Sequence, residues 1–227
     1  MAIKYQHQFV DGSRCALPVG KAICVGLNYA AHAAEMHSQQ SSEPLLFIKP
    51  RTALVSMDRD INVPVDLGDC HYETEMAILI GRCLSKCSEV EVQKGIVGVG
   101  LALDLTLRSL QTELKNKGQP WEKAKAWDGA CPLSSFVKPN KIDDLQAQTI
   151  RLYQNGTLRQ DGNTKKMLRP VLPLISYMSR FFTLEPGDVI LTGTPDGVGP
   201  IEPGDSLRAE LGDVLTVDIS VALRQSL

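Results

Sequence analysis

Apolar and polar residues alternate along this chain in short runs, with few long helical stripes, and that rhythm predicts a strand-rich protein. Period-2 alternation or short β-branched runs mark strands over residues 5–10, 21–27, 45–48, 149–154, 188–191, 206–210 and 214–221. Two further strands cover 72–80 and 98–105. Asn155-Gly156 after the run at 149–154 signals a hairpin. Helical spacing is confined to four places. A short helix follows Asn28, its N-cap, through residue 36, and others cover 88–94 and 106–117, the latter stopping at Gly118. A fourth runs from Lys165, capped by Thr164, to Phe182, with Pro170 and Pro173 confining its regular part to 172 onward. Strands outnumber helices and their order is irregular, so the expected class is α+β with a mostly antiparallel core. No repeat or linker divides the chain, which reads as one domain over 1–227, with a strand and turn in 1–18 ahead of the core at 19–227.

Three carboxylates interrupt this pattern. Glu73 and Glu75 stand in Tyr72-Glu73-Thr74-Glu75-Met76-Ala77-Ile78-Leu79-Ile80, and Asp104 ends the apolar run from Ile96 to Leu103. Residues two apart on a strand share a face, and like charges on one buried face repel and lose hydration. A divalent cation relieves both. Three oxygen ligands without a nearby Cys/His pair favour Mg²⁺ or Mn²⁺ over zinc. The plain alternatives are a solvated Glu-x-Glu face and a helix-capping Asp104.

Other residues change the picture less. His32 and Glu35 are three apart on the first short helix, where a carboxylate can orient an imidazole for proton transfer; a surface salt pair has the same spacing. The polar stretch 37–43 suggests that this helix belongs to a lid, open without ligand. Lys125, between alanines and near Trp121 and Trp127, reads as a part-buried cation facing a substrate or metal-site carboxylate, or as a snorkelling surface lysine. The loop Gly193-Thr194-Pro195-Asp196-Gly197-Val198-Gly199 can offer N–H groups to an anion or form a tight turn. It lacks the P-loop ending, and Gly98-Val99-Gly100 lacks the third glycine of a dinucleotide fingerprint.

Composition mainly excludes. The 227 residues carry a net charge of −2 with both signs interspersed, so no nucleic-acid stripe exists. No run approaches the length of a bilayer span, and residues 1–8 lack a signal core, which points to the cytoplasm or to an organelle. The six cysteines are expected to be reduced there, and Cys83 and Cys87 have no second pair for zinc.

Taken together, six ordered stretches resemble the fumarylacetoacetate hydrolase family, in particular its short acylpyruvase and oxaloacetate decarboxylase type. They are residues 25–36, Phe47-Ile48-Lys49-Pro50, Tyr72-Glu73-Thr74-Glu75, residues 103–111, residues 118–125 and residues 191–199. The resemblance implies a β-rich mixed roll, a homodimer, and Mg²⁺ or Mn²⁺ on Glu73, Glu75 and Asp104. It also implies a His32–Glu35 dyad handling water or a proton, Lys125 near the metal, and Arg108, Gln111 and Thr194 lining the substrate. The expected activity is hydrolysis of a carbon–carbon bond in 2,4-diketo acids to pyruvate and a carboxylic acid. The alternatives are oxaloacetate decarboxylation or keto–enol tautomerisation on the same site, and, more remotely, metal-dependent binding of an organic acid without turnover.

Overall fold

Residues 5–36 and 42–223 are described by the structure, a computed structural model. In chain order the strands begin with β1 (Ala22–Gly26), β2 (Leu45–Lys49), β3 (Leu54–Ser56), β4 (Ile61–Val63) and β5 (Cys70–Tyr72). Next come β6 (Thr74–Ile80), β7 (Ile96–Leu103), β8 (Thr106–Leu107), β9 (Cys131–Leu133) and β10 (Thr149–Gln154). The last are β11 (Thr157–Asn163), β12 (Val189–Leu191), β13 (Gly199–Pro200), β14 (Ser206–Leu211) and β15 (Leu215–Leu223). The helices are short: α1 (Ala30–Glu35), α2 (Glu89–Gly95), α3 (Arg108–Asn116), α4 (Glu122–Lys125) and α5 (Val171–Met178).

The strands form a seven-stranded sheet in the order β2-β1-β12-β6-β7-β9-β3, a five-stranded sheet β11-β10-β14-β15-β4 and a small sheet β13-β5-β8. Most pairs are antiparallel, but β1–β12, β3–β9 and β4–β15 are parallel. This is the expected α+β class, a mixed β-rich roll. The central pair β6–β7 is buried almost throughout, which explains its apolar runs. Gly98 and Gly100 are small for packing: a Cβ there would meet Phe136 at 2.9 Å and Ser134 Oγ at 2.8 Å. The β10–β11 hairpin turns at Asn155 and Gly156, both at positive φ (51° and 76°), as the Asn-Gly pair predicts.

Several local expectations need correction. The strand predicted over 5–10 exists only as the bridges Gln8–Arg14 and Phe9–Phe136, because no neighbouring strand runs alongside it. The helix predicted from 106 begins at Arg108, since Thr106 and Leu107 pair with β5. Thr164 opens a single 3₁₀ turn to Lys166, and the helix beyond is α5, which starts after Pro170. Asn28 does not cap α1. Its amide donates to the carbonyls of Arg169 (3.0 Å) and Thr192 (2.8 Å) and accepts the Arg169 N–H (2.8 Å), tying three chain segments together.

Candidate active site

The three carboxylates meet because β5 and β7 end where β6 begins. Glu73 is the single residue between β5, in the small sheet, and β6, in the large one. Asp104 follows the last residue of β7, whose Leu103 pairs with Thr74. The Asp104 N–H donates to the Glu73 carbonyl at 2.8 Å, locking the two acids side by side. Glu73, Glu75 and Asp104 each present an oxygen within 4.8 Å of the others, and all are at most 5 % exposed.

Buried cations surround this cluster unevenly. Lys125, the last residue of α4, donates to Glu73 Oε2 (2.8 Å) and Asp104 Oδ2 (2.7 Å). Arg108, the first residue of α3, pairs with Glu73 Oε1 and donates to Gln111 Oε1 at 2.7 Å. Lys49, fully buried, spends its three N–H groups on the carbonyls of Leu105 (3.3 Å), Ala130 (2.9 Å) and Lys125. Its ammonium lies 2.7 Å from Asp104 Oδ1, yet that oxygen is buried without a hydrogen-bond donor. The contact is therefore an ion pair only. Glu75 receives the Gly193 N–H and no cation within ion-pair distance among the described residues.

The resulting charges are polarised. Burial acts against ionisation of Glu73, but Lys125 and then Arg108 outweigh it and hold its carboxyl below the usual range. Burial pushes Glu75 well above that range, and the nearby Asp104 and Glu73 charges push it further. Lys125 is raised despite burial, because Asp104 and Glu73 favour its ammonium. A divalent cation fits this donor set: all donors are hard oxygens, Asp104 Oδ1 lacks a donor, and Glu75 lacks a positive partner.

His32 lies on α1, buried to 4 % exposure. Its Nδ1 is 3.1 Å from Glu35 Oε2, and Glu35 Oε1 accepts the Gly197 N–H at 3.1 Å. When Nδ1–H donates to Glu35, Nε2 is the ring nitrogen left to exchange a proton. Helix α1 is thus latched to the glycine loop, in contrast to the open segment expected from its polarity; residues 37–41 of that segment lie outside the described residues. The loop does present N–H groups to anions, and those anions are the protein's own Glu75 and Glu35. Gly197, at φ 91°, tolerates no side chain, since a Cβ would lie 2.0 Å from the Arg159 carbonyl.

A cavity of about 190 Å³ collects His32, Glu73, Glu75, Arg108, Gln111, Lys125 and Thr194, with Phe47 and Trp121 on its apolar side. Asp104 and Glu35 stand behind these residues. All nine side chains singled out in the sequence therefore belong to one site. A larger opening of about 430 Å³, lined by Lys141, Arg151, Glu210 and Asp213 among others, shares no residue with it.

Three contributors were not among the expected site residues. Lys49 neutralises Asp104 from behind; its signals were its place at the end of an apolar strand and in the Phe47-Ile48-Lys49-Pro50 stretch. Gln160, fully buried on β11, accepts the Thr74 N–H (3.0 Å) and donates to Thr194 Oγ1 (2.8 Å) and the Pro195 carbonyl (2.9 Å). It fixes Thr194 relative to β6, and nothing in its polar neighbourhood announces that. Asn28 holds the strand end at Thr192 in the same way.

Such an acid cluster beside a His–Glu pair on a mixed β-roll defines a class. Residues 21–225 match the family described as "Fumarylacetoacetate (FAA) hydrolase C-terminal". The chain belongs to the fumarylacetoacetate hydrolase family, whose members here are enzymes. It is 52 % identical over 204 residues to the oxaloacetate tautomerase YcgM of Escherichia coli, covering 89 % of this chain and 93 % of that protein. It is 40 % identical over 192 residues to the mitochondrial oxaloacetate decarboxylase of Dictyostelium discoideum, covering 83 % and 87 %. The crystal structure of fumarylpyruvate hydrolase from Pseudomonas aeruginosa, in complex with Mn²⁺ and pyruvate, superimposes with a TM-score of 0.90 at 31 % identity, covering 99 % and 98 %. Among the described residues no helix is long and apolar enough to cross a membrane.

Proposed function

We propose that this chain is a divalent-metal-dependent oxaloacetate keto–enol tautomerase. The observation that carries this reading is the buried Glu73–Glu75–Asp104 cluster opening on the same cavity as His32, in a chain 52 % identical to an oxaloacetate tautomerase. Acylpyruvate hydrolysis, the leading expectation from sequence, yields to its own alternative, because the hydrolase neighbour is the more distant at 31 %.

Glu73, Glu75 and Asp104 hold Mg²⁺ or Mn²⁺ in this reading. The bound ion supplies Lewis-acid polarisation of the substrate's 2-keto oxygen and charge neutralisation for its 1-carboxylate. The remaining chemistry falls to the side chains. Tautomerisation moves one proton between C3 and the C2 oxygen. His32 Nε2 takes the C3 proton and gives it to the C2 oxygen, or the reverse, while Glu35 fixes the ring's tautomer and supports its positive charge between the two transfers. Arg108, Gln111 and Thr194 orient the carboxylates and the keto group, and Lys125 keeps Glu73 ionised. Phe47, Trp121 and the latched α1 exclude bulk water, which strengthens these electrostatic contacts. The homodimer implied by the family resemblance belongs to the same reading, and light scattering tests it.

Decarboxylation is the second reading, favoured by the Dictyostelium relative. Loss of CO₂ from C4 needs the same stabilised enolate but no proton removal from C3. The test is a side-by-side assay with Mg²⁺: enol-to-keto conversion of oxaloacetate, CO₂ release from it, and cleavage of acetylpyruvate and fumarylpyruvate. Tautomerisation is expected to lead in kcat/KM. Acylpyruvate cleavage exceeding it by ~100-fold, about 2.7 kcal/mol in transition-state stabilisation, would reverse the assignment.

A further inference from the structure

We propose that Lys115 is a specificity residue that receives the distal carboxylate of a 2-keto dicarboxylic acid; the inference rests on the keto-acid reading above. The observation is a stripe on α3. Arg108, Gln111, Thr112, Lys115 and Asn116 all line the cavity, and their spacing of three, four, seven and eight places them on one helical face. Arg108 stands at the deep end against Glu73, and Lys115 stands two turns further out, about 10 Å along the axis. Lys115 lines the cavity from this outer turn, and a lysine stem is long enough to bring its ammonium to a ligand group held there.

The cavity is asymmetric in charge along this stripe. Its lining carboxylates, Glu73 and Glu75, both lie at the deep end, where Arg108 and Lys125 pair with Glu73. The outer end is cationic and amide-bearing, and Phe47 and Trp121 form an apolar wall on the same cavity. A 2-keto acid held by its carboxylate and keto oxygen at the deep end directs its far group outward along α3. A neutral methyl ketone there leaves Lys115 without a ligand group. A second carboxylate gains a charge-assisted hydrogen bond beside an apolar surface. This selects oxaloacetate over pyruvate and over neutral acylpyruvates.

The test compares ligands that differ in the distal carboxylate alone. Pyruvate and oxaloacetate are titrated onto the full chain with saturating Mg²⁺, read by tryptophan fluorescence and by KM and inhibition constants. The variants are Lys115→Gln and Lys115→Arg. Lys115 is exposed, so both substitutions leave folding intact. Lys115→Gln is expected to weaken oxaloacetate about 10- to 100-fold and to change pyruvate less than about 2-fold. Lys115→Arg is expected to keep most of the affinity, and the selectivity should narrow as salt rises. Equal weakening of both ligands, or of neither, overturns the proposal. If the unsubstituted protein binds both ligands but interconverts no oxaloacetate tautomers, the tautomerase reading fails while the binding comparison still decides the role of Lys115.

Discussion

Lys49 and Asp104 form an ion pair at 2.7 Å with neither side chain more than 1 % exposed. The lysine serves two purposes: it balances an acid of the site, and it donates to three backbone carbonyls, of which Ala130's also accepts the Leu105 N–H. Lys49→Met keeps the stem and removes both. Asp104 keeps Lys125 as a partner, so the expected loss is about 3 kcal/mol, the low end of the cost of breaking a buried pair from one side. For a chain of this size that is roughly 6–12 °C in Tm. Calorimetry on the purified variant checks it, and a loss below about 1 kcal/mol would show that Asp104 is neutralised by other means.

His7 provides a pH signature remote from the site. It is fully buried, with Nε2 2.9 Å from the Gly187 carbonyl and Nδ1 3.1 Å from the Tyr5 hydroxyl. Nε2–H donates and Nδ1 accepts, so the neutral ring fits. Burial lowers its pKa below the usual 6.5, against an opposing push from the Gly187 hydrogen bond. As pH falls below 6.5, the unfolded chain gains a proton that the folded chain refuses. Stability therefore falls through that window and levels below the folded pKa. His71 shifts the same way, again chiefly by burial, so the measurement is a difference. Wild type should lose up to about 1.4 kcal/mol per pH unit more than His7→Gln, read from denaturant midpoints between pH 7 and 5. Parallel curves would mean that His7 titrates equally in both states.

The latch through Glu35 separates catalysis from folding. Glu35→Gln keeps an acceptor for the Gly197 N–H but offers an N–H to His32, reversing the ring's tautomer. Turnover of oxaloacetate tautomers should fall about 10²- to 10⁴-fold, with stability changed by less than about 1 kcal/mol. Glu35→Ala should lose the latch as well, so hydrogen exchange over residues 30–36 should accelerate only there. Equal activity in Glu35→Gln and wild type would remove the dyad from the proton transfer.

How much of this was legible in the sequence depends on whether the signal is local. Glu73, Glu75 and Asp104 stood out because carboxylates are costly inside apolar strands. The fold class was legible because period-2 alternation needs no partner to be seen. The parallel pairing of β1 with β12 was not, since their residues lie more than 160 positions apart and neither strand announces its neighbour. Residues 5–10 alternate like a strand and find no strand to pair with. Gln160 looks like an ordinary polar residue, and Asn28 like a helix cap, until β6, β12 and the Arg169 segment surround them. Choosing between hydrolase and tautomerase was beyond the motifs, because both chemistries store charge on the same acids.

Glu75 gives the most direct test of the metal assignment, because two conditions should reverse its effect. With metal removed by chelator, Glu75 is a buried carboxylate whose burial and whose neighbours Asp104 and Glu73 both oppose its charge. Glu75→Gln removes that charge and retains an oxygen to accept the Gly193 N–H. In chelator the variant should therefore be at least as stable as wild type. With Mg²⁺ or Mn²⁺ at 100 times the dissociation constant, wild type should gain about 2.7 kcal/mol by mass action, roughly 5–10 °C in Tm. The variant has lost one anionic ligand and should gain much less, so the order of stability inverts. Thermal melts of both proteins, with chelator and with each cation, supply the six values. A wild type indifferent to both cations, or a variant that gains as much as wild type, would remove Glu75 from the metal site.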